Sequence, residues 1–287
     1  MNNFIKMNYY PLFLLCLISS LSIISCAPTQ QVQEKISLTT ATYSKLDDIL
    51  KNGVLKVGTT GDFKPFSYQL DTKSNFFYGV DIELAKDLAA SLGVKVEFIK
   101  TSWPTLLADL KAGKFDIGMS GITIKLARQQ QALFSIPLLA SGKAAITRDE
   151  NADRFTSIEA INQKGVRVIV NPGGTNEAFA RANFPKATIV ENGENLSVFQ
   201  KIVDGKADLM VTDAVETLIQ EQIHPELEAV NPDKPFNFFE MGYLLPRDFT
   251  WKAYVDQWLN LRQKDGKYQV IFDGALEKIR RRAMPRK

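Results

Sequence analysis

The sequence predicts an α/β protein of two lobes, each built on a mainly parallel sheet, with two crossings between them and the functional site in the cleft. Two observations carry that expectation. From about residue 44, runs of strand length alternate with amphipathic helical runs that glycine terminates, the pattern of successive β-α units. The pattern also echoes itself. Gly113-Lys-Phe-Asp-Ile-Gly-Met-Ser120 and Gly205-Lys-Ala-Asp-Leu-Met-Val-Thr212 share a helix-ending Gly-Lys, an aspartate, an apolar strand and a final hydroxyl. Both segments bring that hydroxyl to the carboxyl end of a strand, the edge at which open α/β sheets bind ligands.

Val54-Leu-Lys-Val-Gly58 alternates as a strand. A helix is predicted over 81–92, with Asp81 as N-cap, Leu84, Leu88 and Leu92 on one face and Gly93 just past its end. A strand at 94–98, a helix opened by Ser102 and Pro104 and stopped by Gly113, and a buried strand at 115–119 complete the first series. The second series runs through strand 166–170, a Pro-Gly-Gly turn, helix 175–182, strand 187–190, helix 195–204 and strand 207–211. Segment 142–147 is expected to cross from the first lobe to the second, and 240–245 to cross back, so the lobes hinge without tearing either core. Helices at 251–263 and 268–279 close against the first lobe. The first lobe is thus 44–146 with 239–278, the second 147–238, and 279–287 a basic tail.

Residues 1–26 have the three-part pattern of an export signal: Lys6 and the free amine, an apolar run too short and too serine-rich for a membrane span, and a polar end. The run ends in Ile23-Ile-Ser-Cys26, which resembles a bacterial lipobox. On that reading Cys26 is acylated and becomes the first residue of the mature chain; the alternative is a cut nearby with Cys26 a bystander. Residues 27–43, rich in Gln, Thr and Ser, are expected to serve as a flexible tether. The expected location is the periplasm or cell envelope, with a lipid anchor in the membrane.

Both cysteines, Cys16 and Cys26, lie within the signal, and His224 is the only histidine. The body therefore has no disulfide, no thiol nucleophile, no histidine triad and no Cys- or multi-His metal site. Lys and Arg number 35 against 32 Asp and Glu, a balance that points to no nucleic-acid partner. The basic tail either leans on an anionic membrane or frays as a solvated end. Any chemistry must use carboxylates, amines, hydroxyls and backbone.

The span from about 44 to 275 resembles the type II periplasmic solute-binding proteins that capture polar amino acids. The marks are Gly79-Val-Asp-Ile-Glu-Leu-Ala85, Phe115-Asp-Ile-Gly-Met-Ser-Gly-Ile-Thr123, Arg128 and Gly205-Lys-Ala-Asp-Leu-Met-Val-Thr-Asp-Ala214. Within that family it is most similar to the cyclohexadienyl dehydratases, which act on prephenate and arogenate. That similarity rests on Val57-Gly-Thr-Thr-Gly-Asp-Phe-Lys-Pro-Phe-Ser67, Thr101-Ser-Trp-Pro104, Asn171-Pro-Gly-Gly-Thr-Asn-Glu-Ala-Phe-Ala-Arg-Ala-Asn183, His224-Pro-Glu-Leu227 and Tyr243-Leu-Leu-Pro-Arg-Asp248. The resemblance implies a small-molecule substrate, no cofactor and no metal. The competing reading is an amino-acid-binding lipoprotein that serves an ABC permease.

The resemblance also implies roles. Arg128 grips a substrate carboxylate with its fork of donors, helped by Ser120, Gly121 and Thr123. Phe63 and Trp103 wall the cleft, although Trp103 beside Pro104 also suits a plug at a helix start. Thr175 and Asn176 open a helix whose backbone amides suit an anion. Asp213 corresponds to the family's amine-binding carboxylate and is also placed to cap the next helix. Glu177 is the expected general acid for loss of the ring hydroxyl. A carboxylate in a helix's first turn is stabilised as the anion, whereas burial beside a dianionic substrate opposes that, so an exposed carboxylate answering the helix dipole is the other reading. The chain departs from the family at Lys125-Leu-Ala-Arg128, where the dehydratases are expected to have Asn-Leu-Glu-Arg. Lys125 adds positive charge near the carboxylate grip, which helps a dicarboxylate or marks a changed specificity.

Overall fold

The computed structural model describes residues 44–71 and 73–283. The expected signal, Cys26, the tether and the last four residues of the basic tail lie outside that range.

The first five-stranded sheet has the order Lys95–Lys100, Val54–Thr59, Ile117–Gly118, Leu244–Leu245, Leu133–Phe134. The second has the order Thr188–Glu191, Arg167–Val170, Leu209–Asp213, Lys143–Arg148, Leu227–Val230. In each sheet the strand in the fourth place is antiparallel to both its neighbours, and the first three run parallel. That reversed strand is the one the chain enters directly after changing lobes. The crossings themselves are a two-stranded antiparallel ribbon in which Leu139–Ser141 pairs with Phe239–Met241. The crossing expected over 142–147 therefore lies a few residues earlier, because Lys143–Arg148 is already a ladder strand of the second sheet.

The internal echo has a structural cause. Gly113 and Gly205 both end their helices in the left-handed region, with φ of 68° and 69°. The aspartate three residues on then accepts a backbone N–H from the neighbouring parallel strand: Asp116 from Lys56 at 2.9 Å, Asp208 from Arg167 at 2.8 Å. Each aspartate so fixes the register of the strand that delivers Ser120 or Thr212 to the cleft edge.

The second sheet is buried on both faces: Leu209 and Val211 pack into one apolar cluster and Met210 into another, the period-2 alternation of a covered strand. The first lobe has one main core, which also takes Trp251, Val255, Trp258 and Leu259 from the Phe249–Lys264 helix. Asp248 caps that helix by accepting the Trp251 N–H at 2.8 Å. The final helix, Lys267–Ala283, packs on the first lobe but also reaches the second, as Ile279 clusters with Tyr68 of the first lobe and Ile219 of the second. The Val80–Leu92 helix begins after Gly79, and Asp81 is not its cap. Asp81 is instead fully buried, accepting the Gly121 N–H at 2.6 Å and the Tyr243 hydroxyl at 3.2 Å.

Candidate functional site

The carboxyl edges of the two sheets face each other across a small cavity. Phe63, Trp103, Gly121 and Thr123 line it from the first lobe; Asn171, Gly174, Thr175, Asn176, Asn195 and Asp213 line it from the second. Of the expected site residues, Ser120, Arg128 and Glu177 are not among those that line it.

The first-lobe wall is aromatic. Phe63 is 4% exposed, with its ring 5.3 Å from Phe66 and edge-on to Trp103 at 5.8 Å. Trp103 Nε1 donates to Asp62 at 3.0 Å, which fixes the indole plane. The rings can close on the loop because residue 121 is glycine: its φ is +61°, and a Cβ there would lie 2.5 Å from Phe66 and 2.6 Å from Phe63. Ser120 is buried and shares a hydrogen bond with the Thr60 hydroxyl at 2.8 Å, so it braces the lobe. Arg128, on the short Leu126–Gln129 helix, donates from Nη1 to the Thr123 carbonyl at 2.9 Å, which uses one of its five donors. Burial and the nearby Arg128 and Lys143 charges lower the Lys125 pKa.

The second-lobe wall is a buried polar network with Lys143 at its centre. Lys143 is 2% exposed, and its ammonium donates to Thr175 Oγ1 at 3.0 Å, to Asn176 Oδ1 and to the Asp213 carboxylate. Three donors meet three acceptors. The same ammonium lies 5.2 Å from the centre of the Phe239 ring on the crossing ribbon. Asn176 Nδ2 then donates to Thr212 Oγ1 at 2.9 Å, and Thr212 donates to Glu216 Oε2 at 2.6 Å. Asp213 stands at the N-cap of the Ala214–Ile223 helix but makes no capping bond; Lys143 takes its carboxylate instead.

Glu216 is 1% exposed, in the first turn of that helix. Burial pushes its pKa up to about 8, and the charges of Asp213 and Asp62 push the same way against the Thr212 hydrogen bond and Lys143. Its carboxyl therefore carries a proton at neutral pH. Glu177 is the opposite case. Gly173 N–H donates to its carboxylate at 2.7 Å and Arg181 Nε at 2.8 Å, and these bonds lower its pKa. An ionised, ion-paired carboxylate has no proton to give, and neither Glu177 nor Glu216 is among the residues that line the cavity. Sequence reading missed Glu216 and Lys143, yet both left signals. Glu216 follows Asp213 at i+3 and so shares its helix face, and Lys143 is a charge that opens the apolar run Ala144-Ala-Ile146.

The cleft is closed. Asn195 Nδ2 in the second lobe donates across it to the Asp62 carbonyl at 3.0 Å. Gly173, with φ +80°, approaches Pro104 of the first lobe so nearly that a Cβ would lie 2.5 Å from its ring. Inside, Asn171 Oδ1 and Asn195 Oδ1 are buried acceptors with no protein partner, and both residues line the cavity.

Comparison with known proteins agrees with this architecture. The chain is 54% identical over 226 residues to the cyclohexadienyl dehydratase of Pseudomonas aeruginosa, covering 79% of this chain and 84% of that one. Its fold matches the crystal structure of an ancestral amino acid-binding protein, AncCDT-1, a precursor of cyclohexadienyl dehydratase, with a TM-score of 0.74 and 36% identity over 82% of this chain and all of the other. The crystal structure of an ancestral cyclohexadienyl dehydratase, an AncCDT-3 variant, is 48% identical with a TM-score of 0.52, covering 83% of this chain and 98% of that one. Residues 55–277 match the bacterial extracellular solute-binding proteins, family 3, and with that match over most of its length the chain belongs to that family.

Proposed function

We propose that this chain is a carbon–oxygen lyase that dehydrates and decarboxylates prephenate to phenylpyruvate, or arogenate to phenylalanine. The observation that carries the reading is the buried Glu216 carboxyl, held protonated one turn beyond the cavity-lining Asp213. Its proton goes to the ring hydroxyl as the C–O bond breaks, and water leaves. The ring carboxylate departs as carbon dioxide, and the electron pair of its C–C bond completes the aromatic ring. One proton is consumed per turnover and returns to Glu216 from solvent. On this reading the proton donor is Glu216 in place of Glu177.

The other residues position the substrate. Phe63 and Trp103 offer flat apolar walls to the ring. Arg128, fixed on the Thr123 carbonyl, together with Thr123 and the free amides at the start of the Thr175–Asn183 helix, holds carboxylate. The unpartnered Asn195 Oδ1, oriented by its amide's bond to Asp62, accepts from a hydroxyl or from the departing water. The family's extracellular character and the sequence of residues 1–26 support export, with acylated Cys26 as the anchor in the envelope.

The likeness to an amino acid-binding ancestor favours one other reading, a carrier that hands an amino acid to an ABC permease. Incubating the purified chain with prephenate and following phenylpyruvate absorbance separates the two. Steady turnover is the expected result. Absence of turnover, with tight calorimetric binding of a standard amino acid, would establish the carrier.

A further inference from the structure

We infer that Asp81 is a positioning residue for the carboxylate grip: its side chain clasps the Gly121 amide to the strand returning from the second lobe, and so sets the loop from which Thr123 and Arg128 meet the ligand. The inference rests on the carboxylate-holding role proposed for Thr123 and Arg128. Asp81 does not line the cavity; it is fully buried in the first turn of the Val80–Leu92 helix. One of its carboxyl oxygens accepts the Gly121 N–H at 2.6 Å, and the other accepts the Tyr243 hydroxyl at 3.2 Å. Beyond this clasp the loop is stitched to the returning crossing. Gly242 N–H donates to the Ile122 carbonyl at 3.0 Å, Ile124 N–H donates to the Glu240 carbonyl at 2.8 Å, and Thr123 bridges to Met241. Those bonds act from residue 122 onward. Upstream, the Ser120 side chain is fixed on the Thr60 hydroxyl, and the peptide between Ser120 and Gly121 is held by Asp81.

That peptide needs holding because residue 121 is glycine, for which φ values of either sign are open, and the rings of Phe63 and Phe66 leave no room for a Cβ there. Asp81 selects the conformation at φ +61° by drawing the amide N–H into the lobe, away from the cavity that Gly121 lines. The turn then delivers Thr123, which lines the same cavity and whose carbonyl receives Arg128 Nη1 at 2.9 Å. A buried carboxyl thus acts on the ligand through others. It orients Gly121, Gly121 orients Thr123, and Thr123 seats Arg128.

Asp81→Ala removes the clasp and leaves the Gly121 N–H and the Tyr243 hydroxyl without that partner. Asp81→Asn keeps it, because the amide oxygen accepts from Gly121 while the amide nitrogen donates to the Tyr243 oxygen. Leu88→Ala, a buried apolar truncation on the same helix, lowers stability away from the loop and is the control. The test measures KM and kcat for prephenate, the calorimetric Kd for phenylpyruvate and the Gly121 amide resonance, for all three variants and the wild type, below every melting transition. Asp81→Ala is expected to raise KM and Kd about tenfold with kcat within about threefold of wild type, and to move the Gly121 amide proton upfield. Asp81→Asn should bring KM back to within about threefold, and Leu88→Ala should leave KM and the resonance unchanged. Where Asp81→Ala does not fold, Tyr243→Phe takes its place; it frees one end of the clasp and should raise KM about threefold while moving the same resonance. A wild-type KM and Kd in Asp81→Ala, or an equal rise in Leu88→Ala, would overturn the inference, as would an unmoved resonance in Tyr243→Phe. A wild type that turns over no prephenate overturns the dehydratase reading alone; the Kd of the amino acid it carries and the Gly121 resonance then decide the role of Asp81.

Discussion

Glu177 and Glu216 each lie in the first turn of a second-lobe helix, and their surroundings send them in opposite directions. Glu177 is partly exposed and doubly hydrogen-bonded as the anion; Glu216 is sealed among Asp213, Lys143, Asp62 and Lys64 and holds its proton to about pH 8. The rate should therefore follow the protonated fraction of Glu216. In a pH profile of kcat/KM for prephenate, activity is expected to fall as pH rises through about 8, and a flat profile from 6 to 9 would contradict this. Arg128→Ala should raise KM by an amount equivalent to about 2–5 kcal/mol, with Arg128→Lys recovering only part, since a point charge lacks the fork. An unaltered KM in both would remove Arg128 from the site. Which edge of each sheet borders the cleft was legible in the sequence from the strand ends at Ser120 and Thr212, and the family resemblance added their neighbours Gly121, Thr123 and Asp213. Which carboxyl stays protonated was not, because the charges that interact with Glu216 include Asp62 and Lys64, about 150 positions away in the chain.

The repeated Gly-Lys-x-Asp segment was readable at the scale of the element because each part has a local job: the glycine stops a helix and the aspartate pins a strand. Asp81 was misread for a related reason. Residue type alone names a good cap, whereas the buried Gly121 amide and Tyr243 hydroxyl that claim its carboxylate come from distant segments. The turn at Gly173 joins local conformation to lobe closure, since its φ is +80° and Pro104 occupies the space a side chain would need. Gly173→Ala should therefore strain the turn and hold the lobes apart. The expected result is a KM for prephenate raised about tenfold and a larger radius of gyration by solution scattering with ligand present. Wild-type scattering and KM would show that this contact does not control closure.

Two buried acids tie the stability of the whole molecule to pH. Burial raises Asp81 to about 7 and Glu216 to about 8, so the folded chain keeps protons that the unfolded chain releases above an ordinary carboxylate pKa of about 4. Their contribution to stability is fully present below about pH 4 and is lost as pH rises through 7 and 8. Melting temperature should fall between pH 5 and 8.5, and Asp81→Asn with Glu216→Gln should flatten that slope. A wild-type slope of the other sign would refute these protonation states. The two-lobed plan was legible in advance because alternating periodicity is a property of contiguous residues. The one reversed strand per sheet was not, because it follows from how the crossing ribbon feeds Lys143–Arg148 and Leu244–Leu245 back into their sheets.

The central claim is that a buried, protonated Glu216 gives the proton that releases water from the ring. Glu216→Gln keeps the size and the neutral charge of that group while removing its acidity, and Glu177→Gln keeps the size but removes a carboxylate charge at the partly exposed position. Turnover of prephenate and binding of phenylpyruvate, measured side by side for both variants and the wild type, tests the claim most directly. The account predicts that Glu216→Gln lowers kcat by about 10²–10⁴-fold with binding intact, while Glu177→Gln stays within about threefold of wild type. Near wild-type turnover in Glu216→Gln, with the large loss in Glu177→Gln, would contradict it.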